Sequence, residues 1–426
     1  MAIVLLILSI LVLVLINVPI AVALGIAATV AIVASQGVES LPNLAIVMYN
    51  GATNFPLIAI PLFILAGAIM NTSGISRRLI AFASALLGFI RGGLAMVNVG
   101  TSLFFAEISG SAVADVAAIG SVLMPAMKKK GYPGPFTAAL TSSSASLAII
   151  IPPSIPMILY AVMSGSSVVQ LFVAGIIPGL LGGLLMMGLC YHYARKYGWP
   201  VEEVFQWKRL WATFKDASLA FLLPLIILGG IFGGVVTATE GAGLAVVAAI
   251  AIALYYREID WPQLRSAIID GAVQTAVVML LVASSALLGV YLTEEQVPQR
   301  LAQAIAELTT NKYLILALFN LFFLVVGLFL HSAAAIILVV PIVMPVVNAA
   351  GIDPVHFGLV VTLNLAIGQQ TPPVASVLMT ACSIAKENIW DVTKANLPFI
   401  GVLLLVLLLV TYVPALPLSL VNLFYR

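Results

Sequence analysis

Long apolar stretches separated by short polar breaks run the length of the chain, and their lengths match membrane-spanning helices. No Asp, Glu, Lys or Arg occurs between Lys130 and Arg195, nor between Lys394 and Arg426. About 20 apolar residues cross the roughly 30 Å hydrocarbon layer, so such runs read as spans. The pattern predicts a span over 19–36, a second over 55–73, and a short amphipathic segment over 75–90. An apolar stretch broken by small polar residues follows at 92–127, then a span split by a double proline at 133–164 and a last span at 168–194. After a polar connector (195–216) and an additional span (217–236), the same series returns at 239–257, 266–292, 294–310, 313–349, 353–384 and 397–423. Residues Met1 to Ile16 have a signal-like apolar core, but no basic residue precedes it and no Ala-x-Ala site follows. They read as a retained first membrane segment.

The return of the series is an internal duplication with an offset of 220 residues. Met124-Pro125 recurs as Met344-Pro345, Gly131 as Gly351, Pro152-Pro153 as Pro372-Pro373, and Ala161 as Ala381, with no gap. Ala, Leu and Val match cheaply in apolar sequence, whereas paired Met-Pro and Pro-Pro do not.

Composition narrows the class further. Of 426 residues 62% are hydrophobic and 8% charged, and the mean hydropathy is +1.19. A soluble domain is about a quarter charged, so this chain cannot cover a water-facing surface. The net charge of +2 suggests neither a nucleic-acid surface nor an acidic tail. Cys190 and Cys382 lie in apolar runs and read as packing residues. No phosphate-binding loop, nucleophile elbow or metal-spaced His/Cys cluster is present, so no enzyme is expected.

The interrupted stretches read as re-entrant hairpins. Ser109-Gly110-Ser111 stands in the middle of 92–127, with Arg91 at one end and Lys128, Lys129 and Lys130 at the other. In the second copy His331-Ser332-Ala333 takes the middle of 313–349. With the triple lysine placed in the cytoplasm, 15 Lys and Arg fall on that side and three (Arg300, Lys312, Arg426) on the other. An odd number of crossings then separates the copies, so the second is inverted. The expectation is an all-α polytopic membrane protein of two inverted repeats, each with a re-entrant helical hairpin and a broken helix, in a bacterial inner membrane. Hairpin 1 would open to the cytoplasm, with hairpin 2 and the C-terminus periplasmic. The parts are 1–91 (scaffold and arm helix of repeat 1), 92–167 (transport part of repeat 1), 168–216 (last span and connector), 217–311 (scaffold and arm helix of repeat 2), 312–390 (transport part of repeat 2) and 391–426 (last span).

Broken helices in lipid free backbone amides and carbonyls, and inverted-repeat carriers place their sites at such breaks. Hydroxyl, amide and carbonyl oxygens there suit Na⁺, and two copies predict two sites. The expected first site holds Ser109, Gly110, Ser111, Ser143, Ser144 and Ala148; the second holds Gly327, His331, Ser332, Asn364, Gly368 and Thr371. Packing between helices is the other use of the serines. Expected substrate contacts are Glu107, Asp115, Ser111, Pro152, Ser154, Gln370, Pro373 and Arg300. Carboxylates inside a membrane are functional candidates by default. Asp115 also fits the first turn of the second hairpin arm, where the helix dipole favours it. Arg300 also fits an amphipathic surface segment, and Glu240 an exposed loop. Glu107 and Asp115 face Gly327 and Ala335 in the second copy, so substrate binding is expected to be asymmetric.

Three motifs carry a family resemblance over essentially the whole chain: Ser-Gly-Ser-Ala-Val-Ala-Asp (109–115), Ile-Pro-Pro-Ser (151–154) behind its serine run, and Gly-Gln-Gln-Thr-Pro-Pro-Val (368–374). They resemble the large membrane subunit of tripartite ATP-independent periplasmic (TRAP) transporters. The resemblance implies a Na⁺-driven elevator carrier with scaffold and transport domains. It also implies a small Q-type membrane subunit, a periplasmic substrate-binding protein and an organic-acid substrate, with sialic acid favoured over C4-dicarboxylates. Divalent-anion/sodium symporters have a similar fold but carry Ser-Asn-Thr at the hairpin turns, so backbone carbonyls are expected to matter more here. The alternative is a stand-alone Na⁺/dicarboxylate symporter.

Overall fold

The computed structural model describes residues 2–16, 18–257 and 259–425, and among them every regular element is helical. Two N-terminal helices, α1 (Ala2–Leu15) and α2 (Ile20–Gln36), precede α3 (Leu41–Ala52) and α4 (Ala59–Thr72). The arm α5 (Ile75–Leu87) leads to hairpin 1, α6 (Gly93–Ser109) and α7 (Ala112–Lys129). The broken helix is α8 (Gly134–Ala145), a 3-10 turn and α9 (Ile155–Ser164), followed by α10 (Val168–Tyr197). Between the copies stand α11 (Trp207–Pro224), a π stretch (Leu225–Gly229) and the short α12 (Gly230–Phe232). The second copy contains α13 (Ala238–Tyr256), α14 (Trp261–Glu294), the arm α15 (Val297–Leu308), and hairpin 2, α16 (Lys312–Phe329) and α17 (Ser332–Ala349). Its broken helix is α18 (Pro354–Gly368) and α19 (Ser376–Ala385), and α20 (Ile389–Tyr412) and α21 (Ala415–Tyr425) end the chain. Eight of the described helices are long and apolar enough to cross a membrane.

The elements form two packed bodies. α2, α3, α4, α13 and α14 pack on one another as a scaffold, with α11 against α13. α6 to α9 pack with α10 and with α16 to α20 as the second body. Each arm touches both: α5 lies between α11 and α6, and α15 between α14 and α17.

The hairpins are re-entrant and open to opposite faces. At the start of hairpin 1 the Gly92 amide donates to the Pro200 carbonyl (3.2 Å), and at its end Lys130 pairs with Glu202 (3.3 Å). Both ends therefore meet the same short connector. Lys128 binds Glu387 and the Ala385 carbonyl, which places the α19–α20 turn on that face too. α20 crosses to the other side. There Tyr412 meets Tyr313 at the start of hairpin 2, and His356, just beyond its end, lies 2.7 Å from the Val410 carbonyl.

Two expected boundaries change, and the span expected over 55–73 is preceded by an unexpected helix, α3. The first copy breaks at 53–58 into α3 and α4, where the second runs on as the 34-residue α14. Pro56 lacks the amide proton a continuing helix needs, whereas α14 has no proline after Pro262 in its first turn. The last span starts at Ile389 and breaks before Pro414 rather than running over 397–423. The connector is shorter than expected, because α11 begins at Trp207. Glu240 lies not in a loop but at the third position of α13, in a capping box with Thr237. Both cysteines are free and buried.

Candidate functional site

In each copy the first hairpin arm presents its polar side chains to the first half of the broken helix. Asn98, Thr101 and Ser102 share one face of α6 by their i, i+3, i+4 spacing, and all three are fully buried. Asn98 donates to Thr141 Oγ1 (2.7 Å) and accepts from Ser144 Oγ (3.2 Å), and the Ser102 and Ser144 hydroxyls are bonded at 2.8 Å. In the second copy Asn364 Nδ2 donates to Asn320 Oδ1 (2.7 Å) and to the Val360 carbonyl (2.7 Å), while Asn320 Nδ2 donates to Thr411 Oγ1 (3.1 Å). Ser144 and Asn364 are the same position, 220 residues apart. Each copy therefore joins arm to break through the same residue.

The hairpin tips sit against the double prolines, both of which are cis. Gly110, with φ +58°, ends α6, and a Cβ on it would lie 2.8 Å from the Pro153 carbonyl oxygen. In the second copy the backbones of Gly327 and Gly368 touch, and the Val374 amide donates to the Leu328 carbonyl (3.2 Å). Only glycine permits these approaches.

Among the described residues, Thr101 Oγ1 in the first copy and Asn364 Oδ1 in the second are buried oxygens without a hydrogen-bond partner. Leaving such an atom unsatisfied costs about 1–3 kcal/mol. A hard cation bound among neutral oxygens removes that cost, so the donor set at each break fits Na⁺.

Between the copies lies a fully satisfied bridge. Gln370, from the second break, accepts from Ser142 Oγ (2.7 Å) and Asn396 Nδ2 (3.3 Å). It donates to the Ser142 carbonyl (2.8 Å) and to Ser146 Oγ. Ser143 Oγ donates to Asn396 Oδ1 (2.6 Å). This network ties the serine run of the first copy to the break and last span of the second.

Several expected site residues converge on this region. Gly110, Ser144, Gly327, Asn364 and Gly368 lie at the tip–break contacts, and Ala148 is buried in the 3-10 turn of the first break. Thr371 donates to the Ile367 carbonyl (3.1 Å). Ser111 caps α7, with Asp115 buried in its first turn, and Glu107 lies one turn before the tip. The side chain of Ser109 lies outside the described residues. His331 caps α17 from an exposed position, with Ser332 buried behind it. Pro152 is buried and Pro373 is exposed. Ser154 is buried, donating to the Ile149 carbonyl (2.6 Å) and capping α9. Ser143 and Gln370 belong to the bridge. Arg300 does not join them: it is exposed on the arm α15, whose polar face suits a charge. Sequence reasoning missed Asn98, Thr101, Ser102, Asn320, Asn396 and Thr411. The polar stripe on α6 was the available signal, and the single asparagines offered none.

The family described as "Tripartite ATP-independent periplasmic transporter, DctM component" matches residues 7–416. The chain belongs to this family. This TRAP large permease is 41% identical over 395 residues to a protein of Oleidesulfovibrio alaskensis named isethionate TRAP transporter permease protein DctMQ, covering 92% of the chain and 62% of that protein. It is 38% identical over 385 residues to the C4-dicarboxylate TRAP transporter large permease protein DctM of Pseudomonas aeruginosa, covering 90% of each. Against the sialic acid TRAP transporter permease protein SiaT of Haemophilus influenzae it is 36% identical over 362 residues, covering 85% of the chain and 59% of that protein. Its fold is shared with the Alcanivorax borkumensis YdaH transporter, at a TM-score of 0.64 and 16% identity over 90% of this chain and 91% of that one. The TRAP permease is accordingly a multi-pass membrane transport protein and not an enzyme.

Proposed function

We infer that this permease imports a small organic acid by Na⁺-coupled elevator transport in a bacterial inner membrane, with a small Q-type subunit and a periplasmic binding protein as partners. Two buried oxygens without donors, Thr101 Oγ1 and Asn364 Oδ1, carry the ion reading. Thr101 stands on the arm of the first copy, on the face of α6 that carries Asn98 and Ser102, and Asn364 on the break of the second; at each a coupling cation supplies the missing partner. The first site gathers α6 and α8 around Ser144; the second gathers α16 and α18 around Asn364 and the Gly327–Gly368 contact. Na⁺ bound there supplies positive charge and holds tip to break. The Gln370 bridge keeps both sites in one body, so the body moves as a unit past the scaffold on its two arms. Hairpin 1 opens to the cytoplasm, because its ends carry Arg91 and three lysines. The Oleidesulfovibrio and Haemophilus relatives are longer than this chain, which leaves room in them for a joined small subunit.

Relatives named for isethionate, C4-dicarboxylates and sialic acid support an organic anion as the substrate class and keep sialic acid among the candidates. The deciding experiment reconstitutes the permease with its partners in proteoliposomes and measures uptake of labelled succinate, N-acetylneuraminate and isethionate under an imposed Na⁺ gradient. Uptake of one anion that needs Na⁺ and the binding protein is the expected result. Uptake by the permease alone would establish the stand-alone symporter instead.

A further inference from the structure

The two breaks differ in a way the duplication does not require. In the first copy residues 151–154 are all buried, and the second half-helix, α9, is capped by Ser154 Oγ, which accepts from the Met157 amide (3.4 Å). In the second copy Pro373 is exposed and Val374 is 44% exposed, so this break is open on one side. Here α19 starts after Ala375, a non-glycine residue at φ +41°, and no side chain caps it. The first amides of this ten-residue half-helix take no side-chain cap, and the segment leading to them is exposed at Pro373 and Val374. Such an end attracts negative charge through both the amides and the helix dipole.

A second observation points to the same place. Gln369 is 3% exposed, and its Nε2 has no hydrogen-bond partner. Its Oε1 accepts from the hydroxyl of Ser376, the first residue of α19 (3.3 Å). Nε2 is bonded to the same carbon as Oε1, so the unused donor sits at the uncapped end of α19. A buried amide donor without an acceptor costs free energy until an acceptor arrives. The neighbours of Gln369 are already committed: Gly368 to the hairpin 2 tip, Gln370 to the bridge.

We propose that Gln369 and the N-terminus of α19 form the seat for the substrate's anionic group, a carboxylate or sulfonate, with Ser376 positioning the Gln369 amide. The group enters past Pro373 and Val374 and accepts from Gln369 Nε2 and the first amides of α19. The proposal rests on the organic-anion reading above. It adds which break binds the anion and which side chain reads it. The capped, closed first break takes no anion.

The test titrates the purified permease with its small subunit, at saturating Na⁺, with whichever of succinate, N-acetylneuraminate or isethionate the wild-type complex transports. The apparent Kd is read from anion-dependent thermal stabilisation. Gln369→Leu is expected to weaken anion binding at least tenfold, Gln369→Glu further, and Ser376→Ala by a smaller factor. The Na⁺ concentration for half-maximal stabilisation stays unchanged in all three. An unchanged anion Kd in Gln369→Leu overturns the seat. So does a Gln369→Glu variant that binds Na⁺ more tightly while keeping its anion affinity, since the amide would then act through its oxygen on the cation. If Gln369→Leu fails to fold, the isosteric Gln369→Glu decides. Wild-type uptake of none of the three anions overturns the transport reading, and the seat falls with it.

Discussion

Gly368→Ala tests the proposed second ion site at the contact between hairpin 2 and its break. A Cβ at residue 368 would stand 2.5 Å from both the Cα and carbonyl carbon of Gly327, and 2.7 Å from its oxygen. Carbon atoms rest about 3.5–4.0 Å apart, so the hairpin 2 tip must retreat by roughly 1 Å. The obstruction is backbone on a packed arm and cannot swing aside like a side-chain end. Overpacking of this kind costs about 1–3 kcal/mol. The retreat draws the tip oxygens away from Asn364 Oδ1, so that cost falls on the Na⁺-bound state. At 1.4 kcal/mol per tenfold, half-activation by Na⁺ rises by about 5- to 140-fold. Uptake in proteoliposomes is measured against external Na⁺ at saturating substrate and binding protein, alongside Na⁺-dependent thermal stabilisation. Gly188→Ala is the control, because a Cβ there meets nothing within 4 Å and its helix gains from alanine. A Gly368→Ala permease that folds and gives the wild-type Na⁺ curve would refute the placement of the cation at this contact.

Three further outcomes are expected. Asn364→Leu and Ser144→Ala each raise the Na⁺ requirement in uptake while leaving the choice among organic anions unchanged; a changed anion preference with normal Na⁺ activation would place these residues at the substrate instead. Gln370→Leu leaves Asn396 Nδ2 without its acceptor and takes one of two partners from the hydroxyls of Ser142 and Ser146; stability falls by about 1–3 kcal/mol, read as a drop in unfolding temperature, whereas an unchanged transition would deny the bridge its role. Paired cysteines at Gly289 on α14 and Leu338 on α17 line one small cavity between the two bodies, with more than 4 Å between their Cβ positions; joining them with a short bifunctional methanethiosulfonate should stop uptake, and reduction should restore it. Uptake that persists through complete cross-linking would exclude sliding of one body past the other at this face.

The hairpins, broken helices and inversion were legible because each rests on local chemistry. A proline without an amide proton, a glycine at a tip and lysines at hairpin ends act wherever the chain goes. The 220-residue offset pairs Ser144 with Asn364 and Ala148 with Gly368. The break between α3 and α4 was equally available in Pro56 but lacked a counterpart in the second copy to draw attention to it.

Partnership was not legible. The serine run presents five hydroxyl residues of nearly identical chemistry, yet Ser144 turns to Asn98, Ser143 to Asn396 and Ser142 to Gln370. Which hydroxyl faces which neighbour depends on helix rotation and on elements up to 253 residues away. The same holds for Gln369 and Gln370: adjacent and identical in kind, one is fully paired inside the first copy and the other keeps a donor unused at α19. Sequence by itself determined where the helices break and that the copies oppose each other, because those follow from backbone hydrogen bonding and charge along the chain. Only the tertiary structure decided which polar atoms are satisfied and which are left for a ligand, because that is set by the packing of distant segments against one another.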